Sequence, residues 1–292
     1  MTAGAIVTLR PSERLTVLVL AGLLLLTLLA HPEGWGLRTA TFMGLLLAVL
    51  LLGRSRGKGA LWLRDFAPVA VVLLVFLLLQ PLVVTVNPHR CDAALAAFDQ
   101  RWFSSLAAAW HGAFGRPAVF TDLVYLAYAS FYLLPIAVGV LARLRLGPEG
   151  YERVAFVILL GFYLSFLGYF LWPAEGPRVP EALAAAQLGG GAISQAVRAF
   201  LHGAEATTLD AFPSGHTALS VLPAYLATRA FPRLAVLFWV WALAIVFATV
   251  YIGVHYLADV AAGLLLAGLT LALASPLARG LDIGTRLFTA PE

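Results

Sequence analysis

Apolar residues in this chain come in long, nearly unbroken runs, separated by short stretches rich in Arg, Pro and Gly. A window of about 17–25 apolar residues is long enough to cross a bilayer as a helix. The pattern predicts about eight such spans, at 14–30, 37–53, 66–86, 119–142, 152–172, 213–230, 233–251 and 255–276, the second and sixth being short. The runs are too long, and too rich in Leu, Val and Ala, for the alternating strands of a membrane barrel. The expected fold class is therefore all-α, a polytopic membrane helical bundle. A signal peptide is the competing reading of residues 1–30, with Arg10 and Arg14 before an apolar core. No clear small-x-small cleavage site follows, and another span begins at once.

Two connections carry patterns of their own. Residues 92–113 place Leu95, Phe98, Trp102, Leu106 and Trp110 at helical spacing, with Asp99 and Arg101 interleaved. That suits a helix lying in the membrane interface, where indole rings favour the headgroup level. Residues 173–212 form a long connection with Gly176-Pro177-Arg178, a Gly189-Gly190-Gly191 hinge and an expected short helix near 193–202. Connections of such length are often functional. No internal repeat and no separate soluble domain is visible.

Composition agrees with the pattern: 61% of the 292 residues are hydrophobic and 12% charged, with a mean hydropathy of +0.91. The formal net charge of +4 does not point to nucleic acid, because its basic residues are scattered through short loops. Cys91 is the sole cysteine, which excludes an intramolecular disulfide and a cysteine-rich metal site. With eight spans both termini share one face. Thirteen of the 19 Lys and Arg fall there, among them Arg10, Arg14, Arg54, Arg64, Arg143 and Arg153. The other face holds Arg38, Arg90, Arg101, Arg116, Arg178 and Arg198. The positive-inside rule makes the terminal face cytoplasmic, and places the protein in the inner or plasma membrane if the source is bacterial.

The polar residues of interest then converge. The fifth span ends just before Arg178, the sixth begins at Ser214, the seventh ends near Tyr251 and the eighth begins at His255, all on the non-cytoplasmic face. Ionisable groups at the hydrocarbon edge are costly and usually have a function. His255 and Asp259 are four apart and share a helix face. A carboxylate there can accept the imidazole Nδ1–H and leave Nε2 free as base or nucleophile. A buried polar pair joining two helices is the plainer alternative. Pro213-Ser214-Gly215-His216-Thr217 reads as a helix entrance with Ser214 as N-cap. Its first-turn amides favour a phosphate oxygen, and His216 can protonate a leaving oxygen; an ordinary capped helix is the competing reading. Arg178 can hold two phosphate oxygens or anchor to headgroups. Asp210 and Glu175 stand between site edge and solvated loop, with Thr249 and Tyr251 also at the expected edge. His31, His89, His111 and His202 show no partner pattern.

Pro213-Ser214-Gly215-His216 with His255-x-x-x-Asp259 resembles the second and third motifs of the type 2 phosphatidic acid phosphatase superfamily. More narrowly, Thr249-Val250-Tyr251-Ile252-Gly253-Val254-His255-Tyr256 resembles the branch that contains inositol phosphorylceramide synthases, as do the Phe98-Asp99 region and the segment from Asp122 to Pro135. The resemblance covers roughly residues 66–276. It implies a six-helix core over 61–280 that includes the interface helix 92–113 and an active-site loop 173–212. Two accessory helices would precede it in 1–60, and a cytoplasmic tail would follow in 281–292. It further implies His255 as the nucleophile forming a phosphohistidine, Asp259 as its orienting group and His216 as the acid. Ser214, Gly215 and nearby amides would hold phosphate with Arg178, and no metal or other cofactor is implied.

The chain departs from the superfamily pattern where cations are expected. Thr249 stands where the third motif usually begins with arginine. The first motif's basic residues are reduced to Arg178, with Leu171 at the lysine spacing and Val179 where proline would follow. Fewer fixed cations suit a phosphodiester better than a phosphomonoester dianion. The leading expectation is a phosphotransferase that moves a phospho-headgroup, phosphoinositol among the candidates, from a phospholipid to a ceramide- or diacylglycerol-like hydroxyl. The rival in the same fold is a lipid or polyprenyl phosphate phosphatase with water as acceptor. Other classes are an intramembrane serine hydrolase using Ser214 and His255, and a transporter or channel, which inverted repeats or mid-membrane helix breaks would favour.

Overall fold

The computed structural model describes residues 9–55, 58–103, 117–177, 189–204 and 208–280, and these contain helices and no strand. Helices α1 (Pro11–Ala30), α2 (Trp35–Leu52) and α3 (Lys58–Val86) are followed by a short α4 (Asp92–Phe103). Next come α5 (Ala118–Ala129), a 3-10 turn (Ser130–Tyr132) and the long α6 (Leu133–Leu171). Then α7 (Ala192–Ala204), α8 (Gly215–Ala230), α9 (Ala235–Tyr251) and α10 (Leu257–Gly280) complete the described chain. Helix α4 covers the first part of the expected interface helix. Leu106 and Trp110, part of the 173–212 loop and the 281–292 tail lie outside the described residues.

Among the described residues, six stretches are long and apolar enough to cross a membrane: Pro11–Ala30, Trp35–Leu52, Leu61–Val86, Ala118–Leu171, Pro232–Tyr251 and Leu257–Ala278. Ala118–Leu171 has 54 residues. As one straight helix it would rise about 80 Å, against a hydrocarbon core of about 30 Å. It is not straight, because Gly147 inside α6 has φ 71° and ψ −169°, a conformation that only glycine adopts without strain. Pro148 then opens the next arm at a position where its missing N–H costs nothing. The stretch therefore supplies both the 119–142 and the 152–172 spans. The remaining expected span is α8, whose 16 residues rise about 24 Å.

The second arm of α6 is the central post. Its Phe156, Val157 and Leu160 pack with Leu219 and Leu222 of α8, Ile245 of α9 and Ala267 of α10 in one apolar cluster. Its Leu159, Tyr163 and Phe166 belong to another, with Leu20 of α1, Phe42 of α2 and Val75 and Leu79 of α3. Helix α10 lies against the start of α8, since a Cβ on Gly263 would stand 2.6 Å from the Ser214 carbonyl oxygen. Small residues permit such approach between membrane helices. The Ser214 amide donates to the Asp259 carbonyl at 3.0 Å, so the two helix starts are joined through their backbones.

At the Gly147 bend of α6 its two arms are fastened to α1 and α3 by charge. Asp65 pairs with Arg10 and, at 2.5 Å, with Arg143. Arg64 pairs with Glu13. Glu152 accepts from the amide and the hydroxyl of Ser12 at 2.7 and 2.9 Å.

Candidate active site

The site is assembled at the two helix starts, α8 and α10. After α9 the chain turns so that the Thr249 carbonyl accepts the amides of Val254 at 3.0 Å and His255 at 3.3 Å. That turn presents His255 just ahead of α10. Asp259, at the third helical position, reaches back to the Tyr256 amide at 2.8 Å, as the acidic half of a capping box does. The same oxygen, Oδ2, lies 3.3 Å from His255 Nδ1. Both side chains are buried, Asp259 wholly. A carboxylate accepting Nδ1–H fixes the tautomer whose Nε2 carries a lone pair.

That Nε2 faces His216 Nδ1 at 3.2 Å. With His255 in this tautomer, the proton between the rings is supplied by His216. The His216 ring is stacked on Tyr128, centroids 4.8 Å apart and planes 22° apart, and Phe131 lies against it at 4.3 Å. Two aromatic rings thereby set the orientation of the second imidazole. Ser214 is the N-cap expected of it, its buried Oγ accepting the Thr217 amide at 3.1 Å.

A cavity of about 570 Å³ opens onto this cluster. Its wall includes Gly215, His216 and Asp210, the rings of Tyr128, Tyr132 and Tyr169, and apolar side chains of α3 and α6. The described wall carries no Lys or Arg and one carboxylate, Asp210. His216 and Gly215 front the cavity, and His255 stands behind His216.

The two helix starts are not equivalent for an anion. Asp99 of α4 accepts the amides of Leu257 at 2.6 Å and Ala258 at 2.9 Å, and Asp259 takes that of Tyr256. Carboxylates thus occupy the first-turn amides of α10, and the electropositive start left facing the cavity is that of α8. Asp92 and Asp122 hold the long connection in the same manner. Asp92 takes the amides of Glu175 at 2.9 Å and Gly176 at 3.0 Å. Asp122 takes those of Gly191 at 2.8 Å and Ser194 at 2.9 Å.

Of the residues singled out in the sequence, Ser214, Gly215, His216, His255 and Asp259 come together, with Asp210 on the cavity wall. Arg178 lies outside the described residues. Thr249 contributes its carbonyl, while its hydroxyl donates to Val246 at 2.8 Å. The Tyr251 hydroxyl shares a hydrogen bond of 3.2 Å with Thr121. Glu175 is paired with Arg90 at 2.8 Å. Tyr128, Phe131 and the clamping role of Asp99 were not singled out, although Asp99 and the Asp122–Pro135 segment were noted as resemblances. Among the described residues no group of three or more His, Cys, Asp or Glu is arranged to hold a metal ion.

Residues 93–273 match the PAP2 superfamily, and the chain belongs to it. No curated protein and no solved structure matches the chain. The matched stretch contains Ser214, His216, His255 and Asp259, whereas α1, α2 and α3 precede it. The protein is accordingly an integral membrane enzyme of the lipid phosphatase and phosphotransferase type, acting on lipid phosphates.

Proposed function

We propose that this member of the PAP2 superfamily transfers a phospho-headgroup between lipids through a phosphohistidine on His255. The observation that carries the reading is the relay from Asp259 Oδ2 to His255 Nδ1 at 3.3 Å and from His255 Nε2 to His216 Nδ1 at 3.2 Å. It supplies in one line a carboxylate that orients, an imidazole lone pair that attacks and a proton that can be given away.

In the first half-reaction the donor's phosphate displaces the hydrogen bond between the two imidazoles. His255 Nε2 attacks phosphorus, the bond from phosphorus to the lipid alcohol oxygen breaks, and that oxygen takes the proton of His216. In the second, an acceptor hydroxyl gives its proton to His216 while its oxygen attacks phosphorus, and the P–N bond breaks. Asp259 stabilises the cationic phosphohistidine between the two. Ser214, Gly215 and the first-turn amides of α8 hold phosphate oxygens, and Arg178 is proposed to join them. No metal or cofactor is assigned to either step.

A described cavity wall without Lys or Arg supports a singly charged phosphodiester over a dianionic monoester, because less charge has to be neutralised. The stretch from Thr249 to Tyr256, similar to the inositol phosphorylceramide synthase branch, makes phosphoinositol the first headgroup to offer. The site lies at the pole opposite Arg10, Arg64 and Arg143, so the positive-inside rule supports a non-cytoplasmic site with cytoplasmic termini.

Purified protein given a headgroup-labelled phospholipid with ceramide, diacylglycerol and water as competing acceptors tests the reaction. Label appearing on a lipid acceptor, through an acid-labile phosphoenzyme that His255→Ala abolishes, is the expected result. Release of the phospho-headgroup into water alone makes it a phosphodiesterase of the phospholipase C type, and turnover confined to monoesters makes it a phosphatase and overturns the headgroup reading.

A further inference from the structure

We propose that the apolar channel between α3 and α6 is the track for one hydrocarbon chain of the substrate lipid, and that it gauges the length of that chain. The inference rests on the catalytic reading of His216 and His255. The cavity at the site does not end beside the reacting groups. Val72, Leu73, Tyr132 and Phe162 line it and also line a second, smaller cavity of about 90 Å³. That chamber runs on past Val69, Gly139 and Ala155 to Tyr151.

The two chambers therefore follow α6 from Tyr169, beside the site, to Tyr151, near the charge network. That stretch rises about 27 Å, of which the upper chamber, from Tyr169 to Phe162, accounts for about 10 Å. One leaflet contributes about 15 Å of hydrocarbon. The upper chamber alone is too short for an ordinary chain, and both together exceed one. The far chamber, much the smaller, suits a single file of methylenes. Leu73, Leu77 and Tyr132 are exposed at the rim, which gives a chain entry from the bilayer side. Lipid tails are as apolar as the channel wall, so length selection comes from packing contacts made or forfeited in the far chamber. Helix α3 precedes the matched residues 93–273, so one wall of the gauge lies outside the superfamily match and the other, α6, inside it.

The test compares single-chain phosphodiesters with one headgroup and either an octyl or an octadecyl chain. Gly139 is the point at which to shorten the track, since a Cβ there meets only Tyr151 Cε2 at an ordinary 3.6 Å and a longer side chain enters the far chamber. Gly139→Leu, and Ala155→Leu from the second arm of α6, are expected to lower the octadecyl-to-octyl ratio of kcat/KM about ten-fold. An unchanged ratio in both folded variants overturns the channel while leaving the catalytic reading intact. A second arm needs no turnover: His255→Ala protein is photolysed with an octadecyl ester carrying a diazirine at its chain end. Labelling at Val69 or Ala155 is expected, and labelling confined to residues outside the channel overturns the proposal. Absence of His255-dependent turnover with either ester removes the catalytic reading, and the length gauge with it.

Discussion

At one pole of the bundle Asp65 sits between Arg10 and Arg143, Arg64 pairs with Glu13, and Glu152 takes both donors of Ser12. At the other, two imidazoles face each other at 3.2 Å with one carboxylate behind them. Both poles bury polar groups where desolvation is costly, and they meet that cost differently. The first meets it by opposite charge, and its carboxylates are tied to donors on a neighbouring element. The second meets it with hydrogen bonds between groups that can each change protonation state, and it keeps a nitrogen lone pair beside a cavity. Paired charge fastens helices together, whereas shared protons leave chemistry available. Position reinforces the contrast: the ion pairs join α1 to α3 and α6, and the imidazoles join α8 to α10.

The comparison is broken most severely by removing the shared nitrogen. His255→Ala is expected to lower kcat by 10⁴-fold or more, of the order seen when a nucleophile is deleted. Its thermal midpoint should move little, because Asp259 keeps the Tyr256 amide. Residual turnover near the wild-type rate, in single-turnover assays, would move bond-making elsewhere. At the other pole Asp65→Ala leaves Arg10 and Arg143 without their carboxylate. Breaking a buried pair in this way costs about 3–5 kcal/mol, to be read from thermal unfolding in detergent. Distant sites are nearly additive, so kcat per folded molecule should stay within about two-fold. A fall in kcat that tracks the loss of stability would mean that the poles are coupled, and the contrast would fail.

Much of the fold was legible because the bilayer dictates helix length, and each expected span is helical, 119–142 as α5, the 3-10 turn and the start of α6. The departure at the third span has a physical cause. The third span was expected from residue 66, and α3 begins at Lys58. Arg64 and Asp65 read as polar loop in sequence, but their charges are neutralised by residues of α1 and α6, so the helix continues through them. The local geometry of the candidate site was also legible. The i,i+4 pair His255 and Asp259 and the Ser214 cap need only helical geometry. The approach of His216 to His255 followed from topology alone. Tyr128, Phe131 and Asp99 reach the site from remote elements with no local period to announce them. Thr249 and Tyr251 lie near it in sequence, yet their hydroxyls turn toward Val246 and Thr121.

Two further substitutions sharpen the contrast within the proposed catalytic pole. His216→Ala removes the shared proton and keeps the nitrogen proposed to attack, so kcat should fall about 10²–10³-fold, within the usual worth of a general acid. The loss should be smallest for donors with good leaving groups, which need no proton. An aryl phosphodiester compared with an alkyl one measures this, and equal losses on both would assign His216 to positioning instead. The smallest effect is expected at Asp99, whose two carboxylate oxygens hold the amides of Leu257 and Ala258. Asp99→Asn retains one acceptor oxygen for two donors, and the cost should be about 1 kcal/mol, as for a helix cap. Those amides open the helix that carries Asp259 and follows His255, so their loosening widens the 3.3 Å contact between the two. A several-fold fall in kcat at unchanged KM, partly recovered in Asp99→Glu, is the result expected of a positioning residue. Lost stability with kcat intact would show that α4 merely braces α10, and that the two imidazoles hold their own geometry.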